Sequence, residues 1–382
     1  MHGRWSSRFL LELIFIIRTI GFPGRYIQGP GAIDNLCPLL TELGCKTPVI
    51  VSDGIVMAAV GDSVRGALNR GGLTAAFLNF PGECSANVIT NLTAQAQGLG
   101  IDAVIALGGG KTIDTAKGIA KALGTTLVVV PTIASNDSPT SRLIVLYDEA
   151  HRVSGVEMLA RNPDAVLVDT TIVARAPARF FAAGLGDALS KKFESEQCHL
   201  NGGRNFFGTP SLPTARLLAT QCYDTIVEFG AEALAQVTRL RSPNDAVERV
   251  VEASVLLSGL GFESGGLSLA HALTRGFTAH SAISRMLHGE LVAFGAIVQL
   301  VAQDRPAGEI MQHARFVAAL GLPICWADLG ATAISFKEID EISRLTCAAP
   351  YIGNLTPKAD SKRVAWALAE ANTIGEAIHA SL

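Results

Sequence analysis

Three short stretches in the second half of the sequence set ionisable side chains inside apolar, helix-forming runs. They are Gly184-Leu185-Gly186-Asp187-Ala188-Leu189, Leu269-Ala270-His271-Ala272 and Leu287-His288-Gly289-Glu290. A lone ionisable group is costly to bury. One carboxylate and two imidazoles make a three-ligand set for zinc with a coordination position left open, as catalytic sites require. Separations of 84 and 17 residues do not by themselves bring Asp187, His271 and His288 together. Taken singly, each histidine is more often a satisfied core residue.

The first half carries a different kind of site. An apolar run ending at Leu107 passes directly into Gly108-Gly109-Gly110-Lys111-Thr112-Ile113-Asp114 and then a helical stretch, Thr115–Leu123. Glycines at a strand-to-helix turn let the backbone approach an anion, and the helix N-terminus offers free N–H groups and a positive dipole end. Lys111 adds charge, and Asp114 is placed to cap the first turn or to bond a nucleotide. The pattern is neither GxGxxG nor the Walker GxxxxGK(S/T), and a bare tight turn is the plainer reading. Asp53 closes an earlier apolar run; an acid there suits a ribose 2′-hydroxyl and repels a 2′-phosphate, although taken alone an aspartate at a strand end is more often a helix cap. Together the two signals point to NAD. A third stretch, Thr132-Ile133-Ala134-Ser135-Asn136-Asp137-Ser138, gathers hydroxyls, an amide and a carboxylate where ligands of open α/β sheets sit, or forms an ordinary polar loop.

The elements that must position these residues change character along the chain. Short β-branched runs stand at Pro48–Asp53, Leu73–Phe80, Ala103–Leu107, Leu127–Pro131, Leu143–Tyr147 and Ala165–Asp169, the earlier ones separated by helix-length stretches such as Gly54–Arg70 and Ser85–Gly98. This alternation predicts a mostly parallel sheet with helices on both faces. The later runs, separated only by loops, read as added strands. After Asp169, helical periodicity takes over, as in Ala246–Leu260, Leu291–Ala302 and Arg363–Ala380. The expected fold is an α/β dinucleotide-binding domain over 1–174 followed by an all-α metal- and substrate-binding domain over 175–382. The cleft between them is the default ligand site.

Composition narrows the function classes. With 382 residues, 49% hydrophobic and 17% charged, the chain is neither disordered nor a coiled coil. Its 31 Lys+Arg against 34 Asp+Glu show no basic stripe, so a small molecule is expected rather than nucleic acid. Seven scattered cysteines without a CxxC fit a reducing cytoplasm. The N-terminal run MHGRWSSRFLLELIFIIRTIGF imitates a signal peptide, but Glu12 interrupts it, Arg18 ends it, and no small-x-small cleavage pattern follows. It is too short to span a bilayer. Residues 1–20 are therefore read as an N-terminal extension, with no membrane partner expected.

The motifs GGGKTIDTAK, PTIASNDSPTS, GLGDAL, GLGFESGG (Gly259–Gly266), AHAL and HGELVAFG occur in the order seen in glycerol dehydrogenases. The chain thus resembles the iron-containing alcohol dehydrogenase superfamily, from about Gly24 nearly to the C-terminus. The resemblance implies the dehydroquinate synthase-like, iron-containing alcohol dehydrogenase fold, NAD, a zinc ion in the cleft and a homo-oligomer, often an octamer. It makes Asp187, His271 and His288 the zinc ligands and puts Asp53, Gly110, Lys111, Asp114, Thr132, Ser135, Ser141, Leu143 and Tyr147 around NAD. Asp137 then contacts the polyol, alongside Asp187 and His271. The iron-dependent branch has a histidine four residues after the metal-binding aspartate; this chain has Lys191, which resembles the zinc branch.

The chain departs from the family pattern near the expected polyol pocket. Lys191 stands where a small polar residue is usual and Lys192 where an aromatic is; Thr274 replaces a second histidine, and Ser281–Leu287 reads SAISRML. Lys191 lies four residues after Asp187 on one predicted helix face, so the two can form a simple pair. It is read first as turned outward or paired with Glu194 or another acid. A second reading has it draw a substrate phosphate or carboxylate into the cleft. The third, an ammonium that displaces the metal's charge, is disfavoured because both histidines are kept. The implied reaction is NAD-dependent oxidation of a vicinal diol, glycerol to dihydroxyacetone or 1,2-propanediol likewise. The proton leaves through water, with His280 a candidate base or simply a loop histidine. The alternatives are a dehydrogenase of an anionic substrate such as a glycerol phosphate and a non-catalytic NAD-binding protein; the motifs fit a 3-dehydroquinate synthase-like lyase worse.

Overall fold

The computed structural model describes residues 17–149, 152–331 and 334–381. Most of the signal-like N-terminal run, residues 1–16, lies outside the described residues. Thr19 and Gly21 are already tied to the helical half: the Thr19 N–H donates to Thr209 Oγ1 at 3.0 Å, Asn205 Nδ2 donates to the Thr19 carbonyl at 2.9 Å, and the Gly21 N–H reaches Ser264 Oγ at 3.4 Å.

Among the described residues eight strands form, β1 (Tyr26–Gly29), β2 (Pro48–Ser52), β3 (Ala76–Asn79), β4 (Ala103–Gly108), β5 (Thr126–Pro131), β6 (Leu143–Tyr147), β7 (Val153–Met158) and β8 (Ala165–Asp169). Six make one parallel sheet in the order β1-β8-β5-β4-β2-β3. Its central strands are buried on both faces, which is why they read as unbroken apolar runs rather than alternating ones. Val104 and Ala106 of β4 enter one core with Val49, Val51 and Val129, while Ala103, Ile105 and Leu107 enter the other with Ile50, Val128 and Val130. Sequence reading expected β6 and β8 both to be added strands. Only β6 is, pairing antiparallel with β7; β8 lies inside the main sheet between β1 and β5. The four-residue β1 and the largely exposed β7 carry too weak an apolar pattern to be read in advance.

After β8 no strand occurs among the described residues. The helix His288–Ala302 is buried over nearly its whole length and packs against the helices Ala178–Leu189 and Leu269–Phe277. A widened π-helical turn, Glu252–Leu257, interrupts the stretch read as one helix over 246–260. The Val255 carbonyl in that turn accepts from Thr140 Oγ1 at 3.0 Å, joining the loop after β5 to the helical half. At the same junction Arg142 and Asn162 both hold the buried Glu263, through Nε at 2.9 Å and Nδ2 at 2.5 Å. All seven cysteines are free thiols. No helix among the described residues is long and apolar enough to cross a membrane.

Candidate active site

Asp187, His271 and His288 sit on three helices that pack on one another, and side chains missing from glycines allow that packing. A Cβ on Gly184 would lie 1.9 Å from the Ala134 carbonyl oxygen, and one on Gly289 would lie 1.7 Å from that of Ala183. The loop after β5, the helix bearing Asp187 and the start of the helix bearing His288 therefore touch backbone to backbone. Glu290, three residues into the last helix, accepts from the Leu287 N–H at 2.8 Å and takes Arg179 in a two-pronged bond at 2.6 and 2.8 Å. Because Arg179 belongs to the Asp187 helix, this pair ties together two of the ligand-bearing elements.

The three side chains converge: each offers a ligand atom within 4.8 Å of the others, with Asp187 and His271 buried and His288 exposed. Asp187 Oδ1 lies 3.2 Å from His271 Nε2 and 3.8 Å from His288 Nε2. Asp187 Oδ2 is buried without a hydrogen-bond partner. His271 is oriented by Glu194, which accepts its Nδ1–H at 2.5 Å and the backbone N–H groups of Ser268 and His271 at 2.9 and 3.0 Å. A carboxylate that fixes one ring nitrogen leaves the other aimed at the ligand position, as in many metal sites.

Lys191 does not turn outward. It is 1% exposed, and its Nζ stands 2.7 Å from Asp187 Oδ1, 2.9 Å from His271 Nε2 and 3.0 Å from Asp137 Oδ2. An ammonium has three N–H donors and here meets three acceptors. None is left for a substrate phosphate or carboxylate, so the anion-anchor reading has no support in this geometry. Its partners are Asp187 and Asp137, not Glu194. Burial works against the Lys191 charge, but Asp137 and Asp187 more than offset it and raise its pKa. The Asp187 carboxyl is held well below the usual range by Lys191 and both imidazoles, against burial. Asp137 is raised by burial and by Asp187. For His271, burial opposes a protonated ring and Glu194 favours it, with a net rise. Lys191 can bond Nε2 only while the ring is neutral with its proton on Nδ1 toward Glu194; a protonated ring gives up that contact and turns its Nε2–H to Asp187 Oδ1, 3.2 Å away.

The α/β half presents its site at the C-terminal ends of the strands. The chain leaves β2 toward β3 on one side and β4 toward β5 on the other, which makes the crevice beyond β2 and β4 a topological switch point. Asp53 follows β2, and the glycine turn follows β4. Asp53 Oδ1 caps its helix by accepting from the Val56 N–H at 2.8 Å, so the cap reading holds for one of its two oxygens. The helix from Gly110 has no side-chain cap. Asp114 is not the cap: its buried carboxylate accepts from Lys117 Nζ at 3.1 Å, Ser138 Oγ at 2.7 Å and the Val145 N–H at 2.9 Å. Lys111 pairs with Glu83 at 2.8 Å and lies 4.7 Å from the Tyr147 ring centre. Thr132 donates its N–H to the Gly108 carbonyl at 3.1 Å. Ser135 lies on the loop after β5, while Ser141 Oγ and the Leu143 carbonyl are partners of Lys117.

The family model for iron-containing alcohol dehydrogenases matches residues 23–170. A glycerol dehydrogenase of Thermotoga maritima is 40% identical over 361 residues, 94% of this chain and 98% of that protein. One of Pseudomonas putida is 39% identical over 360 residues, 94% and 98% of the two chains. The crystal structure of glycerol dehydrogenase from Schizosaccharomyces pombe agrees with a TM-score of 0.90 at 33% identity, covering 94% of this chain and 92% of that one. The chain belongs to the iron-containing alcohol dehydrogenase family.

In this alcohol dehydrogenase-family chain the Asp187 group lies where the two halves meet, since Asp137 belongs to the loop after β5. A cavity of about 540 Å³ opens elsewhere, lined by Lys192, Arg216, Tyr223, Arg305, Glu309 and His313 among others, and shares no residue with the group. His280 is held in its own loop, accepting from the Ile283 N–H at 3.5 Å and facing Glu338 at 3.8 Å. Thr274, at the altered histidine position, donates to the His271 carbonyl at 2.8 Å. Asp187 and Lys191 do not share a helix as the spacing suggested: the first ends at Leu189 and a new helix, Lys191–Leu200, carries Lys191 and Glu194 after a turn at Ser190. Sequence reasoning missed the orienting role of Glu194. It also missed Lys117, although that residue closes the motif GGGKTIDTAK.

Proposed function

We propose that this chain oxidises a vicinal diol with NAD, glycerol to dihydroxyacetone being the reference reaction and 1,2-propanediol a further substrate. The observation that carries this reading is the meeting of Asp187, His271, His288 and Asp137 at the junction of the two halves. The glycerol dehydrogenase relatives over 94% of the chain support it. NAD lies across the switch-point crevice, with the free N–H groups of the Gly110 helix on its phosphates and the second Asp53 oxygen on its ribose. Gly110, Lys111, Thr132, Ser135 and Tyr147 line that crevice; Asp114, Ser141 and Leu143 shape it through Lys117. The halves divide at residue 174, the enzyme is cytoplasmic, and it assembles as a homo-oligomer of octamer type.

The donor set fits zinc in kind: one carboxylate, two imidazoles and an unpartnered Asp187 Oδ2. Asp187, His271 and His288 would hold it, and it would lower the pKa of a bound hydroxyl. Glu194 keeps the His271 proton on Nδ1, away from the ligand position. Asp137 orients the polyol from the opposite side. In the overall reaction the carbinol carbon loses a hydride to NAD and the hydroxyl loses a proton to water.

NADH formation from glycerol and from 1,2-propanediol, with zinc supplied in excess, tests the proposal against glycerol 1-phosphate as comparison. Activity with the diols and none with the phosphate is expected, and His271→Ala should abolish it while NAD still binds. Activity confined to the phosphate, or retained in His271→Ala, refutes the assignment.

A further inference from the structure

The atoms that would hold a metal already hold a cation. Lys191 Nζ lies at hydrogen-bond distance from two members of the ligand group, Asp187 and His271, and from Asp137 across the junction. It is completely enclosed, and all three of its donors are engaged. A divalent ion bound to Asp187 and His271 would sit within about 3 Å of that ammonium, a separation at which two buried cations repel strongly. Ion and ammonium therefore cannot share the position.

We propose that Lys191 is a tethered competitor for the metal position: the native chain fills the site with its own ammonium, and zinc enters only when Lys191 withdraws. The inference rests on the reading of Asp187, His271 and His288 as the metal ligands. It does not depend on the substrate. In the resting chain the ammonium neutralises Asp187 and Asp137, so the buried carboxylates need no metal to be tolerated. The cost falls on affinity. If the ammonium vacates the position about 1% of the time, the apparent zinc affinity drops about a hundredfold below that of the bare ligand set. Thr274 does not take part, since its hydroxyl is turned to the His271 carbonyl.

Equilibrium dialysis of zinc against the native chain and Lys191→Thr, each stripped with chelator, reads this directly without any assay of turnover. Lys191→Thr is expected to bind one zinc at least about a hundredfold more tightly than the native chain, and zinc should raise the melting temperature of the variant far more than that of the native protein. Equal affinities overturn the proposal. Should Lys191→Thr fail to fold, the native chain and His288→Ala decide the matter, because His288 is exposed and its loss leaves the core intact. Stoichiometric binding by the native chain at micromolar zinc that His288→Ala abolishes overturns the proposal; no stoichiometric binding by either supports it. Failure of the diol assay in zinc-loaded Lys191→Thr, with these binding results unchanged, would touch the substrate reading alone.

Discussion

Among the described residues two lysines are fully buried, one in each half, and their surroundings differ in kind. Lys117 donates to Asp114 at 3.1 Å and otherwise to neutral oxygens, Ser138 Oγ at 3.2 Å, Ser141 Oγ at 3.4 Å and the Leu143 carbonyl at 2.6 Å. Lys191 meets two carboxylates and an imidazole. Hydroxyls and a carbonyl around a single carboxylate form a staple that joins a helix to a loop and a strand. Two carboxylates and a ring nitrogen form a set that a divalent cation also satisfies. The acceptors, not the lysine, decide whether a buried ammonium is only structural or stands in place of an ion.

Replacing each lysine should separate the two cases. Lys191→Thr in chelator leaves Asp137 and Asp187 buried without a counterion and is expected to cost about 3–5 kcal/mol in urea unfolding. Zinc at about a thousand times its Kd should return about 4 kcal/mol of that. Lys117→Met should cost about 3 kcal/mol, since Asp114 keeps Ser138 and Val145 as donors, and zinc should return nothing. Zinc rescue of both variants, or of neither, would erase the distinction.

A smaller effect sharpens the metal side. Glu194→Gln can no longer hold the His271 ring by charge, and the amide tolerates either tautomer. In a Lys191→Thr background it should weaken zinc binding by about 10–100-fold, measured by the same dialysis. An unchanged affinity would make Glu194 merely a cap for the helix Leu269–Phe277.

This contrast explains what the sequence could and could not convey. The strand runs, the glycine turn and the three ligand-bearing motifs were legible because local pattern determines them: β-branched runs buried on two faces, a tight turn into a helix, polar residues isolated in apolar helices. Convergence of Asp187, His271 and His288 was legible only through resemblance, because long-range helix packing and the close contacts at Gly184 and Gly289 create it. The fate of Lys191 was read only in part: its pairing with Asp187 and another acid holds, but the outward turn does not. Keeping both histidines argued for an open metal position, but a lysine one turn after Asp187 needs only to follow its own helix inward to reach the same atoms. Lys117 was invisible for a related reason, its partners Ser138, Ser141 and Leu143 lying 21 to 26 residues away.

A third cluster tests how far donor type alone carries the comparison. Cys325, Asp328 and His379 also offer ligand atoms within 4.8 Å of one another, but no ammonium stands among them in the described hydrogen bonds, and each donor has a partner inside the cluster. Asp328 Oδ2 accepts from the N–H groups of Ile324 and Cys325 at 3.0 and 3.2 Å and lies 2.9 Å from His379 Nε2. Burial raises the Cys325 pKa, which keeps the sulfur as a thiol and a poor metal ligand. Against burial, His379 and the Ile324 N–H lower that of Asp328. A depressed folded-state pKa contributes stability that is fully present above the unfolded carboxyl value, about 3.9, and is lost as pH falls through the lower folded value. With Asp328 partly open to solvent, the effect should be below about 1 kcal/mol. Native protein and Asp328→Asn, unfolded in urea across pH 6 to 3, should therefore converge toward the acid end, with no response to zinc at either end. A zinc-dependent gain that survives His288→Ala and disappears in His379→Ala would show this cluster to be a metal site and leave Lys191 the less informative of the two.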